Sequence, residues 1–280
     1  MLWKPKSPAI IHAPAEALDE YGNLRIGGGL PSSRRMMMAA AGSGAAFACD
    51  SATFDGSTNY MSRDADLTGI ADNKEGLLSF WISLNGGNGA DQYIISAANV
   101  GRLVCRRRGN NTFEVYASNS SSALIIYLTS NSTYTDGSGG LHVLASWNLA
   151  TPEGYLFING SDDEKAGATE TDDTIDYAGG ADWRVGGRGD SGGLIDADLA
   201  EFYFTNEFLA SAAALSAFRE DGKAKSLGAD GSLPTGTAPL IYHHLDDGEA
   251  VANFATNRGS GGDFPTIGGT LVTGSYSPTD

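Results

Sequence analysis

The chain has 280 residues, 41% hydrophobic and 9% aromatic, which is enough to bury one large core. A formal charge of −16 excludes a nucleic-acid groove, because phosphate recognition needs a basic surface. No apolar run is long enough for a membrane span, so insertion into a bilayer is not expected.

Residues 1–45 read as an extended arm, with prolines at 5, 8, 14 and 31, the triplet Gly27-Gly28-Gly29, and no sustained periodicity. Such a segment has no core of its own, so Trp3, Ile10 and Ile11 are expected to be buried against other chains. That makes the arm an attachment and assembly element and a homo-oligomer the expected state. The opening Met1–Pro8 has no apolar h-region, so the expectation is a protein made in the cytoplasm without ordinary secretion. Cys49 and Cys105 read as two separate buried thiols, neither a disulfide scaffold nor a zinc site.

From Ala52 the pattern becomes that of strands. In Leu77–Leu84, residues 78, 80, 82 and 84 are large and apolar while Ser79 and Ser83 face the other way, which sends one face into a core. Similar strands are expected over 93–97, 112–117, 123–128, 141–147, 155–159, 183–186 and 198–204. Arg106-Arg107-Arg108 reads as three charges on an exposed strand end or turn. One short helix is expected, with Ser211 as N-cap, Leu215 and Phe218 on one face, and Gly222 as the stop. Residues 226–280 read as an extension that supplies one more strand or packs on a partner.

Four segments in this order resemble the laminin G-like branch of the concanavalin A-like family. Ala52–Met61 resembles its opening strand and turn, and Gly76–Leu84, with Phe80-Trp81, its central strand. His142–Trp147 followed by Tyr155–Gly160 resembles its hairpin, which commonly ends in Asn-Gly. Val185–Gly187, Asp196–Phe204 and Phe208–Ser211 resemble its closing strand and helix. The resemblance implies an all-β, two-sheet antiparallel jelly-roll sandwich over residues 46–225, between the arm and the extension. It implies fold more firmly than activity.

The acidic run Asp196-Ala197-Asp198-Leu199-Ala200-Glu201 resembles the motif of laminarinase-type hydrolases of this fold. A retaining glycosidase needs two carboxyl groups about 5 Å apart. Asp196 is shorter than the usual Glu, and strict alternation sends Glu201 to the opposite face unless a bulge intervenes, so no catalytic residue is assigned. Asp162, Asp163 and Asp190 are the candidate metal ligands, and calcium is the one cofactor their loop oxygens would suit. His243 and His244, adjacent on a strand, would point apart.

Glycan recognition uses aromatic faces beside hydrogen-bonding side chains. The candidates are Trp81, Trp147 and Tyr155, with Arg188 and Asp190 at a Gly-rich loop tip. Loops near 85–91, 131–140 and 187–193 are expected to form the ligand face. The organisation as a whole also resembles phage-encoded laminin G-like virion proteins. That resemblance implies a non-enzymatic fibre, spike or decoration protein on the virion surface, released by lysis. Its partners would be other virion proteins and host-surface polysaccharide. The competing readings are a cement protein without glycan affinity and a bacterial carbohydrate-active enzyme.

Overall fold

The computed structural model describes residues 47–97, 102–179, 182–190 and 192–280. The expected arm, with Trp3, Ile10 and Ile11, lies outside the described residues. In chain order the first strands are β1 (Cys49–Asp50), β2 (Ala52–Asp55), β3 (Tyr60–Arg63), β4 (Glu75–Leu84), β5 (Gln92–Ala97) and β6 (Leu103–Arg107). Next come β7 (Phe113–Ser118), β8 (Leu124–Thr129), β9 (Gly140–Asn148), β10 (Glu153–Ile158), β11 (Ser161–Asp162), β12 (Thr169–Glu170), β13 (Trp183–Val185) and β14 (Asp196–Thr205). Helix α1 (Ser211–Phe218) precedes β15 (Arg219–Glu220), β16 (Lys223–Ala224), β17 (Ile241–His243), β18 (Leu245–Asp246), β19 (Thr266–Gly268) and β20 (Val272–Thr273).

Two antiparallel sheets carry the fold. The first runs β11-β10-β9-β4-β14-β2-β20, with β17 also paired to β14, and the second runs β12-β8-β7-β6-β5-β13-β3-β19. The expected alternation in β4 holds, since Leu78, Phe80, Ile82 and Leu84 all enter the core between the sheets. There Phe80 meets Phe113 of the second sheet edge-on at 6.5 Å, and Phe204 meets Trp183 at 5.3 Å. This is the jelly-roll sandwich the sequence implies.

The tail is more deeply woven in than expected. Residues 226–280 are no separate extension: β17 pairs with β14, β18 with β1, β19 with β3 and β20 with β2, so the body runs from Phe47 to Asp280. Helix α1 starts where expected, but Ala210 is its N-cap and Ser211 its first helical residue, without a side-chain cap, and it ends at Phe218 with Arg219 as C-cap rather than at Gly222, which lies in the turn between β15 and β16. Cys49 and Cys105 are buried free thiols, as expected.

The two sheets differ on their outer faces. β4, β9 and β14 are buried on both sides along nearly their whole length. Phe157, Tyr203, Ala214, Phe218 and Tyr242 close one half of the first sheet's outer face under α1, and Phe47, Ala224 and Tyr276 close the other half over Trp81 and Ala200. In β7 and β8, by contrast, Tyr116, Tyr127 and Thr129 remain partly exposed between buried neighbours, the alternation of a sheet with one wet face.

That alternation also corrects the reading of the arginine triplet. β6 sends Arg106 outward and Arg107 into the interior, where Arg107 is fully buried. Its Nη2 donates to Gly86 O at 2.7 Å and Gln92 Oε1 at 2.6 Å, and its Nη1 to Asn88 Oδ1 at 3.0 Å and Tyr134 O at 3.3 Å. One guanidinium thus ties the loop after β4 to the loop after β8. Arg107→Met should leave the buried Gln92 Oε1 and the partly buried carbonyls of Gly86 and Tyr134 without this donor and cost about 3 kcal/mol. Its neighbour Arg108, partly exposed, should cost under about 0.5 kcal/mol as Arg108→Gln. Urea midpoints for the two variants check this, and equal losses would refute the assignment.

Candidate functional site

The open face of the second sheet gathers alternating aromatic and guanidinium groups. Arg106 lies between the rings of Tyr93 and Tyr116, its guanidinium carbon 5.5 Å from each centroid. On its flank, Arg188 sits 5.3 Å from the same Tyr93 ring, and further along Arg184 sits 4.8 Å from Tyr60. Buried Glu114 fixes the pattern, accepting from Arg106 Nε at 2.8 Å and from Tyr127 Oη at 2.7 Å. These pairs are held by cation–π attraction and by a charge-assisted bond to a carboxylate shielded from water. Between Arg106, Arg108, Tyr116, Leu124 and Tyr127 lies a shallow trough of about 290 Å³. Arg108 and Tyr127 also border a second, polar cleft of about 300 Å³, formed with Asn110, Thr112, Thr129, Ser130, Asn131 and residues 165–168.

Of the residues singled out from sequence, Arg188 lies on this face. Arg188 and Asp190 pair with each other at 2.5 Å, and that bond holds the Asp190 carboxyl down at about 2. Trp147 is instead fully buried between the sheets. Its Nε1 donates to Tyr177 Oη at 3.2 Å, and its ring lies so close to Gly76 that an added Cβ would stand 2.2 Å from Cζ2. Trp81 is on the covered face of the first sheet, stacked on His142 at 4.6 Å, with the Arg219 guanidinium 6.0 Å from its ring. Neither indole has a face free for a sugar. Tyr155 is partly exposed on that same sheet, stacked with Phe157 and Phe208.

The candidate metal ligands do not converge. Asp163 accepts from Ser132 Oγ at 2.7 Å and Tyr134 Oη at 2.8 Å, adjacent Asp162 caps the backbone of Glu164, and Asp190 is taken by Arg188. Among the described residues, no group of three or more His, Cys, Asp or Glu side chains is placed to hold a metal ion.

The expected loops do meet. Asn88 donates to Asp136 at 2.8 Å, which joins 85–91 to 131–140, and Tyr93 N donates to Gly193 O at 2.7 Å, which brings in the third loop. Sequence reasoning missed Arg106, Arg108, Tyr116, Tyr127 and Lys165. For the first four the signal was period-two alternation through β6, β7 and β8.

The acidic run behaves differently from strict alternation. A bulge between Ala200 and Tyr203 of β14, with Glu201 at φ +48°, places Glu201 on the same covered face as Asp198. Both carboxylates are buried and engaged. Asp198 accepts from Thr53 Oγ1 at 2.7 Å, Asn85 Nδ2 at 3.0 Å and Ser275 N at 2.9 Å, while Glu201 accepts from Tyr242 Oη at 3.0 Å and pairs with His244 Nδ1. Asp196, near the exposed end of the strand, is pushed upward by burial and then by Asp55.

No protein-family model matches the sequence, and no curated protein does either. Among solved structures, a putative carbohydrate-binding protein from Bacteroides ovatus superposes with a TM-score of 0.58 at 12% identity. The match covers 83% of this chain and 62% of that one, so the chain spans about three fifths of its length. A heptameric pentraxin from Limulus polyphemus superposes with a TM-score of 0.46 at 12% identity, covering 82% of this chain and 93% of that one. The Bacteroides likeness shows a shared fold, the concanavalin A-like jelly roll.

His244 lies in the sealed face against two carboxylates, Glu201 and Asp246. Its ring is stacked between Phe47 and Tyr242, and its Nε2 faces Asp246 at 3.0 Å, with Arg258 beyond. Burial alone would lower its pKa, but the Glu201 and Asp246 carboxylates overcome it and hold the imidazolium above 6.5. A folded pKa raised above the unfolded one contributes stability that is complete below about pH 6.5 and fades as pH rises through the folded value. Glu164, which burial lifts to about 7, adds a decline of the same sign. Urea midpoints from about pH 5 to pH 9 should therefore fall, and more steeply in the native chain than in His244→Gln. Parallel curves would refute the imidazolium pairing.

Proposed function

We propose that this is a non-catalytic, lectin-like surface protein whose second sheet binds polysaccharide through the Tyr116–Arg106–Tyr127 trough. The observation that carries this reading is the asymmetry of the sandwich: among the described residues, one outer face is sealed by its own chain, and the other is left open and lined with ordered aromatic rings. Tyrosine rings offer sugar C–H faces a flat apolar surface, and the guanidinium groups beside them donate to hydroxyl groups. Rings already held by Arg106 and Glu114 lose little freedom on binding. The description of the Bacteroides structural neighbour as a putative carbohydrate-binding protein accords with this reading.

The setting we propose is the surface of a phage or phage-like particle, with host polysaccharide as ligand and release by lysis. Residues 1–45 would attach the module to other virion proteins. Hydrolysis draws support from one observation, the bulge that brings Asp198 and Glu201 to one face. Against it, both carboxylates lie beneath the chain's own tail and are fully engaged by internal partners, so we assign no enzymatic role.

Tyr116→Ala should weaken binding of a responsive glycan roughly two- to tenfold, the worth of one aromatic contact. Glycan-array and bacterial-cell binding with the full chain provide the measurement, with added calcium or chelator expected to change nothing and laminarin and agarose expected to survive intact. Undiminished binding by Tyr116→Ala would remove the trough from the reading. Turnover abolished by Glu201→Gln would overturn the non-catalytic assignment.

A further inference from the structure

The polar cleft beside the trough has a charge character opposite to that of the chain. Acidic residues outnumber basic ones 34 to 18, yet among the described residues the only charged side chains lining the cleft are Arg108 and Lys165. The register explains the separation. Ser130 bridges Glu164, so Glu164 turns to the buried side with Ser130, while Lys165, bonded through its N–H to Thr129 O, turns outward with the Thr129 side chain. Glu164 therefore faces away from the cleft, Asp163 is taken up by Ser132 and Tyr134, and the Lys165 ammonium borders the opening.

The cleft also collects donors that the fold does not use. Among the described residues Arg108 spends only Nη1, on Tyr127 Oη at 3.3 Å and on Glu114 at 3.4 Å, and its Nε and Nη2 make no hydrogen bond there. Glu114 is already satisfied by Arg106 and Tyr127, so it does not need Arg108. The Lys165 ammonium and the Asn131 amide, both exposed, have no partner among the described residues. A forked guanidinium, an ammonium and an amide around one opening are a donor set for a planar anion.

We infer that this cleft holds the carboxylate of an acidic sugar, a hexuronate residue of the polysaccharide whose neighbouring rings lie along the Tyr127–Tyr116 trough. This assignment rests on the glycan-binding reading above and names its ligand class. Tyr127 borders both openings, so one pyranose ring can pack against it while its carboxylate meets Arg108 and Lys165. The chain's overall negative charge repels a polyanion at long range, so selection depends on contacts made inside the cleft, where Lys165 and the outer edge of the Arg108 guanidinium, whose Nη1 faces Glu114, stand beside polar and small residues.

The test uses the full chain in calorimetric titrations with trisaccharides of galacturonate, guluronate, mannuronate and glucuronate, each also as its methyl ester. At least one free acid should bind about tenfold more tightly than its ester, as expected for a charge-assisted contact. The double variant Arg108→Gln, Lys165→Gln, both positions being solvent-accessible, should erase that preference, while Tyr116→Ala should weaken acid and ester alike. Equal binding of acid and ester, or a preference that survives the double variant, would overturn the uronate assignment and leave the trough reading intact. Binding of no uronate, with a neutral glycan bound on the array, would do the same. Binding of no saccharide of any kind would overturn both. Inorganic sulfate competing as well as galacturonate would make the cleft a general oxyanion site and overturn the carboxylate assignment.

Discussion

The structure depends on how unequally its two sheets are covered. A β-sheet has two faces, and the sandwich core uses only one of each. In the first sheet half of the second face is apolar as well, with Leu77, Leu144, Phe157 and Tyr203 in place of the polar residues a wet face would carry. That surface must be covered, and α1 and residues 271–280 cover it. The second sheet keeps Arg106, Tyr116, Tyr127 and Thr129 outward and needs no cover. Where the molecule can meet a ligand follows from that difference in side chains.

The buried charges are consistent with the same division. Arg107, Asp198 and Glu201 are all nearly inaccessible, and each is surrounded by hydrogen-bonding partners from distant parts of the chain. Buried polar groups of this kind fix loops and tail in one arrangement, because removing any partner strands the others in a low-dielectric interior. The open face shows the reverse. Its guanidinium groups are braced from one side by Glu114 and by tyrosine rings, and near the cleft their remaining donors point to solvent. Groups that satisfy each other internally build the scaffold, and groups with unspent donors are left for recognition.

Much of the sandwich was legible in the sequence because strand periodicity is local. Residues 78, 80, 82 and 84 declare one face without reference to the rest of the chain, and Asn159-Gly160, both at positive φ, declare a hairpin turn. The site was less legible, since alternation says which side a residue faces but not whether another segment lies on top of it. Trp81 does face outward, and it is covered by segments distant in sequence: Phe47 before it and Ala224 and Tyr276 well over a hundred positions later. Trp147 faces inward by the same counting that placed Leu141 and Val143 in the core, so its burial was available to period-two reasoning. The bulge at Glu201 was not, because nothing in Ala200-Glu201-Phe202 marks an inserted residue. Lys165 and Arg108 meet only through the pairing of separate segments, which no local pattern encodes.

The described body begins and finishes on the same side. Phe47 and Tyr276 pack into one cluster over Trp81, Cys49 N reaches Thr279 Oγ1 at 3.5 Å, and Ala224 N donates to Pro278 O at 2.9 Å. The trough and cleft lie on the opposite side, across two sheets whose backbones stack about 10 Å apart. Any covalent leash fixed to either end therefore pulls on the back of the slab.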